Sequence, residues 1–123
     1  LHMARLDKFL DRTAGNLSGG MYKKLGLICA LLRSPRVMLL DEPTNGVDPI
    51  SRREFWDLLH AAQQQGILVI MTTAYMDEAE RCGEVVLMER GHVLGMGEPK
   101  ELLHTSHSAN FDEFFLKRGG EKR

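Results

Sequence analysis

Two apolar runs, separated by one helix-length of amphipathic sequence, constrain this chain most. The first, Val37-Met38-Leu39-Leu40, ends on two adjacent carboxylates and a proline, Asp41-Glu42-Pro43. The second covers residues 67–72. A short continuous apolar run suits a strand buried on both faces of a parallel sheet. Between the two lies a turn-rich loop over residues 42–48. Pro49 then suits the first position of a helix that runs to about residue 65, where Gly66 breaks it. Strand, helix, strand in this order implies a right-handed crossover and a parallel sheet covered by helices. The expected fold class is α/β.

The remaining periodicities fill in the order of elements. Met3, Leu6, Phe9 and Leu10 at helical spacing predict a short helix over residues 3–12, followed by a loop over 13–17. Ser18 reads as the N-cap of a helix reaching about residue 33, with Met21, Leu25, Ile28, Cys29 and Leu32 on one face. Ser34-Pro35 stops it. Residues 76–82 read as a short acidic helix. Residues 85–89 and 92–96 flank Arg90-Gly91 as a hairpin. A helix over 98–104, a polar linker over 105–110, an amphipathic helix over 111–117 and a tail over 119–123 complete the chain.

Composition narrows the class. A length of 123 residues allows at most one domain. Sixteen basic and 17 acidic residues leave a net charge of -1, so there is no bulk attraction to nucleic acid or acidic lipid. No apolar run approaches the roughly 20 residues that span a bilayer, and the start has no secretory-signal pattern. Cys29 and Cys82 fall in expected helices and read as buried, reduced thiols of a cytosolic protein. The opening Leu1-His2-Met3 suggests a chain cut from something longer.

Three short stretches carry chemistry. In Leu17-Ser18-Gly19-Gly20, a hydroxyl and two glycines stand at a helix mouth, where unpaired N–H groups and a partial positive charge favour anions. The same residues equally describe a capped helix after a glycine turn. Asp41 is delivered to the C-terminal edge of the sheet, where ligands of open α/β sheets bind. There Asp41 suits Mg²⁺, and Glu42 suits orientation and deprotonation of a water. The alternative is a solvated acidic strand end. Asp48, in Thr44-Asn45-Gly46-Val47-Asp48-Pro49, either reaches a neighbouring subunit or caps the next helix.

The stretches Leu17-Ser18-Gly19-Gly20, Leu39-Leu40-Asp41-Glu42-Pro43-Thr44, Gly46-Val47-Asp48-Pro49 and Thr72-Thr73-Ala74-Tyr75-Met76-Asp77-Glu78-Ala79-Glu80 occur in the order and spacing of the ATP-binding-cassette (ABC) ATPases. The chain resembles the C-terminal half of such a cassette over about residues 10–100. The run Gly46-Val47-Asp48-Pro49-Ile50-Ser51-Arg52-Arg53-Glu54-Phe55-Trp56 resembles the drug-exporter branch. The resemblance implies a parallel-sheet, P-loop-NTPase-like partial domain, with residues 1–104 as the cassette part and 105–123 as linker, short helix and tail. It implies that Leu17, Ser18, Gly19 and Gly20 contact ATP held by a partner cassette. It makes Asp41 the Mg²⁺ ligand, Glu42 the catalytic base and Asp48 a residue communicating across the cassette dimer. The implied cofactors are ATP and Mg²⁺. The implied partners are a second cassette and transmembrane permease subunits, which place the protein in the cytoplasm at the inner face of the membrane. No direct nucleic-acid partner is expected.

Two departures qualify this resemblance. No G-x-x-x-x-G-K-[S/T] phosphate loop occurs: after Gly15 and Gly20 stand Met21-Tyr22 rather than lysine and a hydroxyl residue. In the family that loop lies upstream, so the chain alone is expected to bind nucleotide weakly or not at all. Ala74 stands where the family has a γ-phosphate-contacting histidine. Either that catalytic histidine has been mutated to trap ATP or the cassette is naturally degenerate; the combination resembles the degenerate first cassette of tandem exporter ATPases. An alternative reading is a non-catalytic cassette-derived interaction module, including one that docks on ribosomes. Without upstream strands, the sheet is expected to expose apolar surface, with homo-oligomerisation or marginal stability following.

The other features have packing readings. Trp56, Leu58 and Leu59 belong to a core, and Lys23-Lys24 and Arg52-Arg53 belong to solvated helix faces. Phe111, Phe114 and Phe115 form an apolar stripe. His60, His92, His104 and His107 have no metal-ligand spacing with the cysteines.

Overall fold

A computed structural model describes residues 8, 10, 11 and 13–120. The helix expected over residues 3–12 and the end of the tail fall mostly outside the described residues. The chain divides after Thr72 into two compact units.

The first unit holds a 3₁₀ turn (Ala14–Asn16), α1 (Gly19–Leu31), β1 (Val37–Leu40), α2 (Pro49–Gln64) and β2 (Leu68–Met71). β1 and β2 pair in parallel, with Val37 opposite Leu68 and Leu40 opposite Met71, so α2 is the crossover helix that the sequence order requires. Ser34 adopts a left-handed conformation (φ 46°) just before Pro35, and its N–H bonds the Leu31 carbonyl at 2.9 Å, which ends the α1 segment. Gly66 (φ 83°) turns the chain from α2 into β2, a conformation that a Cβ would strain. Leu27, Met38, Phe55, Trp56, Leu58, Leu59, Ala62 and Ile67 are buried, in line with the core role expected of Trp56, Leu58 and Leu59.

The strands are not buried on both faces. Val37, Leu39, Leu68 and Ile70 are 48%, 76%, 56% and 52% exposed. Side chains alternate along a strand, and the parallel register places these four on one face of the two-stranded sheet. Both faces are apolar, which is why the run is continuous, but only the face carrying Met38 is closed. The open face is the apolar sheet surface that the chain was expected to expose.

The packed face of α1 also differs from expectation. Its buried positions are Gly20, Lys24 and Leu27, one stripe at helical spacing, while Cys29 and Leu32 are exposed. Gly20 and Lys24 turn toward α2, so this mixed stripe, rather than the fully apolar one, makes the helix contact. Cys29 is therefore not a buried thiol.

The second unit contains α3 (Met76–Ala79), β3 (Val85–Glu89), β4 (His92–Gly97), α4 (Pro99–Thr105) and α5 (Phe111–Gly120). α3 is shorter than the helix expected over 76–82, and residues 80–82 continue as turns and a bend. β3 and β4 form the expected antiparallel hairpin, with Arg90 and Gly91 both at positive φ (49° and 79°), as a two-residue turn demands. Ala79, Val85, Leu87, Phe111 and Phe114 make the core. Phe111 and Phe114 meet edge-to-face at 6.1 Å. Gly95 admits the Phe114 ring, whose Cζ would lie 3.2 Å from a Cβ there. The Asn110 side chain accepts the Glu113 N–H at 2.9 Å, and Glu80 Oε1 accepts the Phe111 N–H at 3.1 Å, so α5 is capped partly by the residue that follows α3. Cys82 is half-buried; its thiol donates to the Glu78 carbonyl, and burial, reinforced by the Glu78 charge, pushes its pKa up.

Candidate functional site

The mouth of α1 is capped by Ser18, whose Oγ accepts the Met21 N–H at 3.2 Å. Ser18 has the extended conformation that an N-cap needs (φ -62°, ψ 159°). Leu17 is half-buried, and Ser18 and Gly19 are exposed. The two glycines differ. A Cβ on Gly19 would meet nothing within 4 Å, so the helix mouth is open to a ligand there. A Cβ on Gly20 would lie 2.6 Å from Ser51 Cβ and 2.7 Å from Ser51 Oγ. Gly20 thus lets α1 approach the start of α2, a packing reason that spacing alone does not reveal.

Asp41 and Glu42 follow β1 directly and are exposed. Thr72, the residue after β2, links them. Its hydroxyl donates to Asp41 Oδ1 at 2.5 Å and accepts the Glu42 N–H at 2.9 Å. Its own N–H donates to the Leu40 carbonyl at 2.9 Å. Glu42 sits in the left-handed region at φ 41°, a conformation that costs a non-glycine residue about 1 kcal/mol or more. The Asn45 N–H closes the turn onto the Glu42 carbonyl at 3.2 Å, and the Asn45 amide reaches Glu42 Oε2 at 3.4 Å.

The loop that follows is fastened to α1. Lys23 Nζ donates to the Asn45 carbonyl at 2.5 Å. Lys24 Nζ pairs with Glu54 Oε2 at 2.5 Å, with side chains only 5% and 19% exposed. Lys24 is therefore not part of a solvated face, whereas Lys23 stays partly exposed. Each charge has a partner on the loop or on α2, and desolvating Lys24 is tolerable because Glu54 meets it. Asp48 Oδ1 accepts the Ser51 N–H at 2.9 Å and caps α2. The Ser51 N–H and hydroxyl hold its carboxyl below the usual carboxylate range. Asp48 remains exposed, so capping leaves it on the surface.

Ala74 lies two residues beyond Thr72 in the second unit, is exposed, and carries no side-chain donor. The backbone around it is held by its neighbours. The Thr73 hydroxyl donates to Glu78 Oε2 at 2.7 Å and accepts the Tyr75 N–H at 3.0 Å, and Glu78 is fully buried. The structure thus brings Asp41 and Glu42 together with Thr72, and Gly20 together with the start of α2. Sequence reasoning misses Thr72 and Lys24 as site-shaping residues, and Glu78 as the buried partner of Thr73. For Thr72 the available signal is a hydroxyl closing an apolar strand whose parallel partner ends on carboxylates.

These groups fit a magnesium nucleotide in kind. Mg²⁺ takes hard oxygen donors and uses only one or two protein carboxylates beside phosphate and water. Asp41 and Glu42 offer such oxygens, and the open mouth at Gly19 offers backbone N–H groups to a phosphate. Among the described residues no cluster of three or more His, Cys, Asp or Glu side chains forms a metal cage. Among them, too, no helix is long and apolar enough to cross a membrane.

Known proteins resemble this chain in sequence and in fold. The family described as "ABC transporter" matches residues 1–45. The Escherichia coli (strain K12) protein named "Probable multidrug ABC transporter ATP-binding protein YbhF" is 50% identical over 111 residues, 90% of this chain and 19% of that protein. The "Nod factor export ATP-binding protein I" of Rhizobium sp. (strain N33) is 38% identical over 116 residues, 94% of this chain and 38% of that protein. The chain therefore matches only 19% and 38% of the lengths of these two relatives. A solved "ATP binding subunit of ABC transporter" superimposes with a TM-score of 0.79 at 25% identity, over 97% of this chain and 51% of the other. The cbiO1 protein of Clostridium perfringens, described as part of the ABC transporter complex cbiONQ, superimposes with a TM-score of 0.73 at 32% identity, over 85% of this chain and 42% of the other. The α/β fold is that of the ABC ATPase cassettes, and the chain belongs to the family of ABC transporter ATP-binding proteins.

Proposed function

We propose that this chain supplies a signature helix mouth and a carboxylate strand to a two-cassette ATP site that powers export through separate membrane permease subunits. The observation that carries this reading is the Asp41-Glu42 pair held at the end of β1 by Thr72. In the proposal Leu17, Ser18, Gly19 and Gly20 face ATP bound by a partner cassette, with Ser18 and the N–H groups of α1 as anion donors. Asp41 holds Mg²⁺, which when bound neutralises phosphate charge. Glu42 orients and deprotonates the attacking water. Asp48, capping α2 from an exposed loop, meets the partner cassette. The protein sits at the inner face of the membrane through its permease partners.

Two observations support the tandem, degenerate form of this reading. Ala74 offers no side-chain donor where the family has its histidine, so the site served by Glu42 turns over little while the signature helix still serves a partner's intact site. The 111 matched residues are 19% of the multidrug relative and the 116 matched residues are 38% of the Nod-factor relative, so the former is about twice as long, room enough for two cassettes in one chain.

Equilibrium binding of Mg·ATP to the purified 123-residue chain tests the proposal. No binding up to millimolar nucleotide is the expected result, because the phosphate-loop amides and lysine that hold ATP are not among these residues. Micromolar binding would show a complete phosphate site within the chain and overturn the composite-site reading.

A further inference from the structure

We propose that Thr72 is the positioning residue of the carboxylate pair, setting both the orientation of Asp41 and the backbone geometry of Glu42; this rests on the metal and base roles proposed above for those two residues. A hydroxyl is one donor and two acceptors. At Thr72 the donor engages Asp41 Oδ1 and one acceptor engages the Glu42 N–H. The Thr72 backbone is itself tied to the Leu40 carbonyl, so the hydroxyl is anchored to the strand whose end it organises. A single oxygen thereby couples two adjacent carboxylate residues.

The coupling has a chemical consequence at each end. Donation to Oδ1 fixes the carboxylate plane of Asp41. Among the described residues Oδ2 receives no hydrogen bond, so it is the oxygen presented to a cation. Acceptance from the Glu42 N–H holds a residue at φ 41° that would otherwise relax toward an unstrained conformation and carry its carboxylate with it. Valine matches threonine in shape but can do neither. Serine can do both, with a freer rotamer.

The 123-residue chain carries the test, as wild type, Thr72→Val and Thr72→Ser. Amide hydrogen exchange is read residue by residue, and Mn²⁺ is titrated alone, followed by paramagnetic broadening of the Asp41 and Glu42 amides. In Thr72→Val the Glu42 amide should exchange about 3- to 10-fold faster, the effect of one lost hydrogen bond. Mn²⁺ affinity should weaken about 10-fold, the usual result of removing a partner that orients a metal ligand. Thr72→Ser should restore both. A purely structural loss would speed exchange along β1 and β2 alike, whereas lost positioning is confined to Glu42. Unchanged Glu42 exchange in Thr72→Val, or a serine variant as impaired as the valine one, overturns the proposal. Wild type that shows no Mn²⁺ broadening, with Glu42 exchange still faster in Thr72→Val, refutes the metal role of Asp41 and supports the hold of Thr72 on Glu42.

Discussion

Gly19 and Gly20 are adjacent, both lie in the first turn of α1, and should respond in opposite directions to the same substitution. An alanine Cβ at position 20 would stand 2.6 Å from Ser51 Cβ, against 3.4 Å for the near limit of ordinary contact, so the two must separate by 0.8 Å. Ser51 Cβ is fixed by the α2 backbone and cannot swing away as a flexible chain end would. Overpacking of this kind costs about 1–3 kcal/mol. The better helix propensity of alanine offsets up to about 1 kcal/mol, leaving Gly20→Ala destabilised by about 1 kcal/mol. With a urea m-value of about 1–2 kcal/mol/M, the midpoint should fall by about 0.5–1 M. Gly19→Ala meets nothing within 4 Å and should hold or raise the midpoint. Trp56, the single tryptophan and a buried residue of the same unit, reports the transition by fluorescence. Gly20→Ala combined with Ser51→Gly removes the opposing Cβ and should show a favourable interaction between the two substitutions. A Gly20→Ala variant as stable as wild type, or a Gly19→Ala variant that loses more than it, would refute the packing argument.

Other outcomes follow from the same geometry. Lys24→Met should lower the urea midpoint because it takes away the cation that meets the largely buried Glu54 carboxylate, a loss of about 1–3 kcal/mol. Lys24→Met with Glu54→Leu should recover most of it; a double variant no better than the single one contradicts the pairing. The lowered carboxyl of Asp48 favours the folded state at pH values above about 4, its unfolded range, and that contribution is lost as pH falls through the lowered value. Asp48→Asn keeps a capping side chain and should flatten the acid limb of the thermal-midpoint profile below about pH 5, whereas an unchanged limb would assign it to other groups. Ala74→His alone should give no phosphate release in this chain, since the residues that hold ATP are not among those present; measurable turnover would sink the composite-site account.

The order of elements is legible in the sequence because each depends on local signals. Pro49 and Gly66 bracket α2, Arg90-Gly91 mark the hairpin, and Ser18 announces α1. Burial is less legible because it depends on what lies opposite. An apolar run such as Val37-Met38-Leu39-Leu40 reads as two-sided burial whether or not both faces are closed in a given stretch of chain. Lys24 looks solvated until Glu54, 30 residues along the chain, is placed against it. At the candidate site the motifs disclose the chemistry open to Asp41 and Glu42. Thr72 escapes because its contacts come from a parallel pairing that joins residues 31 apart. Gly20 reads as space for a ligand, and the structure shows that it is also space for Ser51. Asp48 reads equally as a cap and as a partner contact; the cap is formed, and its exposed side keeps the partner contact a proposal.

The hydrogen bond from the Phe111 N–H to Glu80 makes the last helix a clasp on the segment that follows Ala74. Phe111 and Phe114, both fully buried, close the same cluster in which Ala79 of α3 sits, so α3 and α5 share one core. Opening α5 would expose that core and strip Glu80 of its backbone partner in a single event. The last helix and the loop at position 74 therefore rise and fall together in local stability.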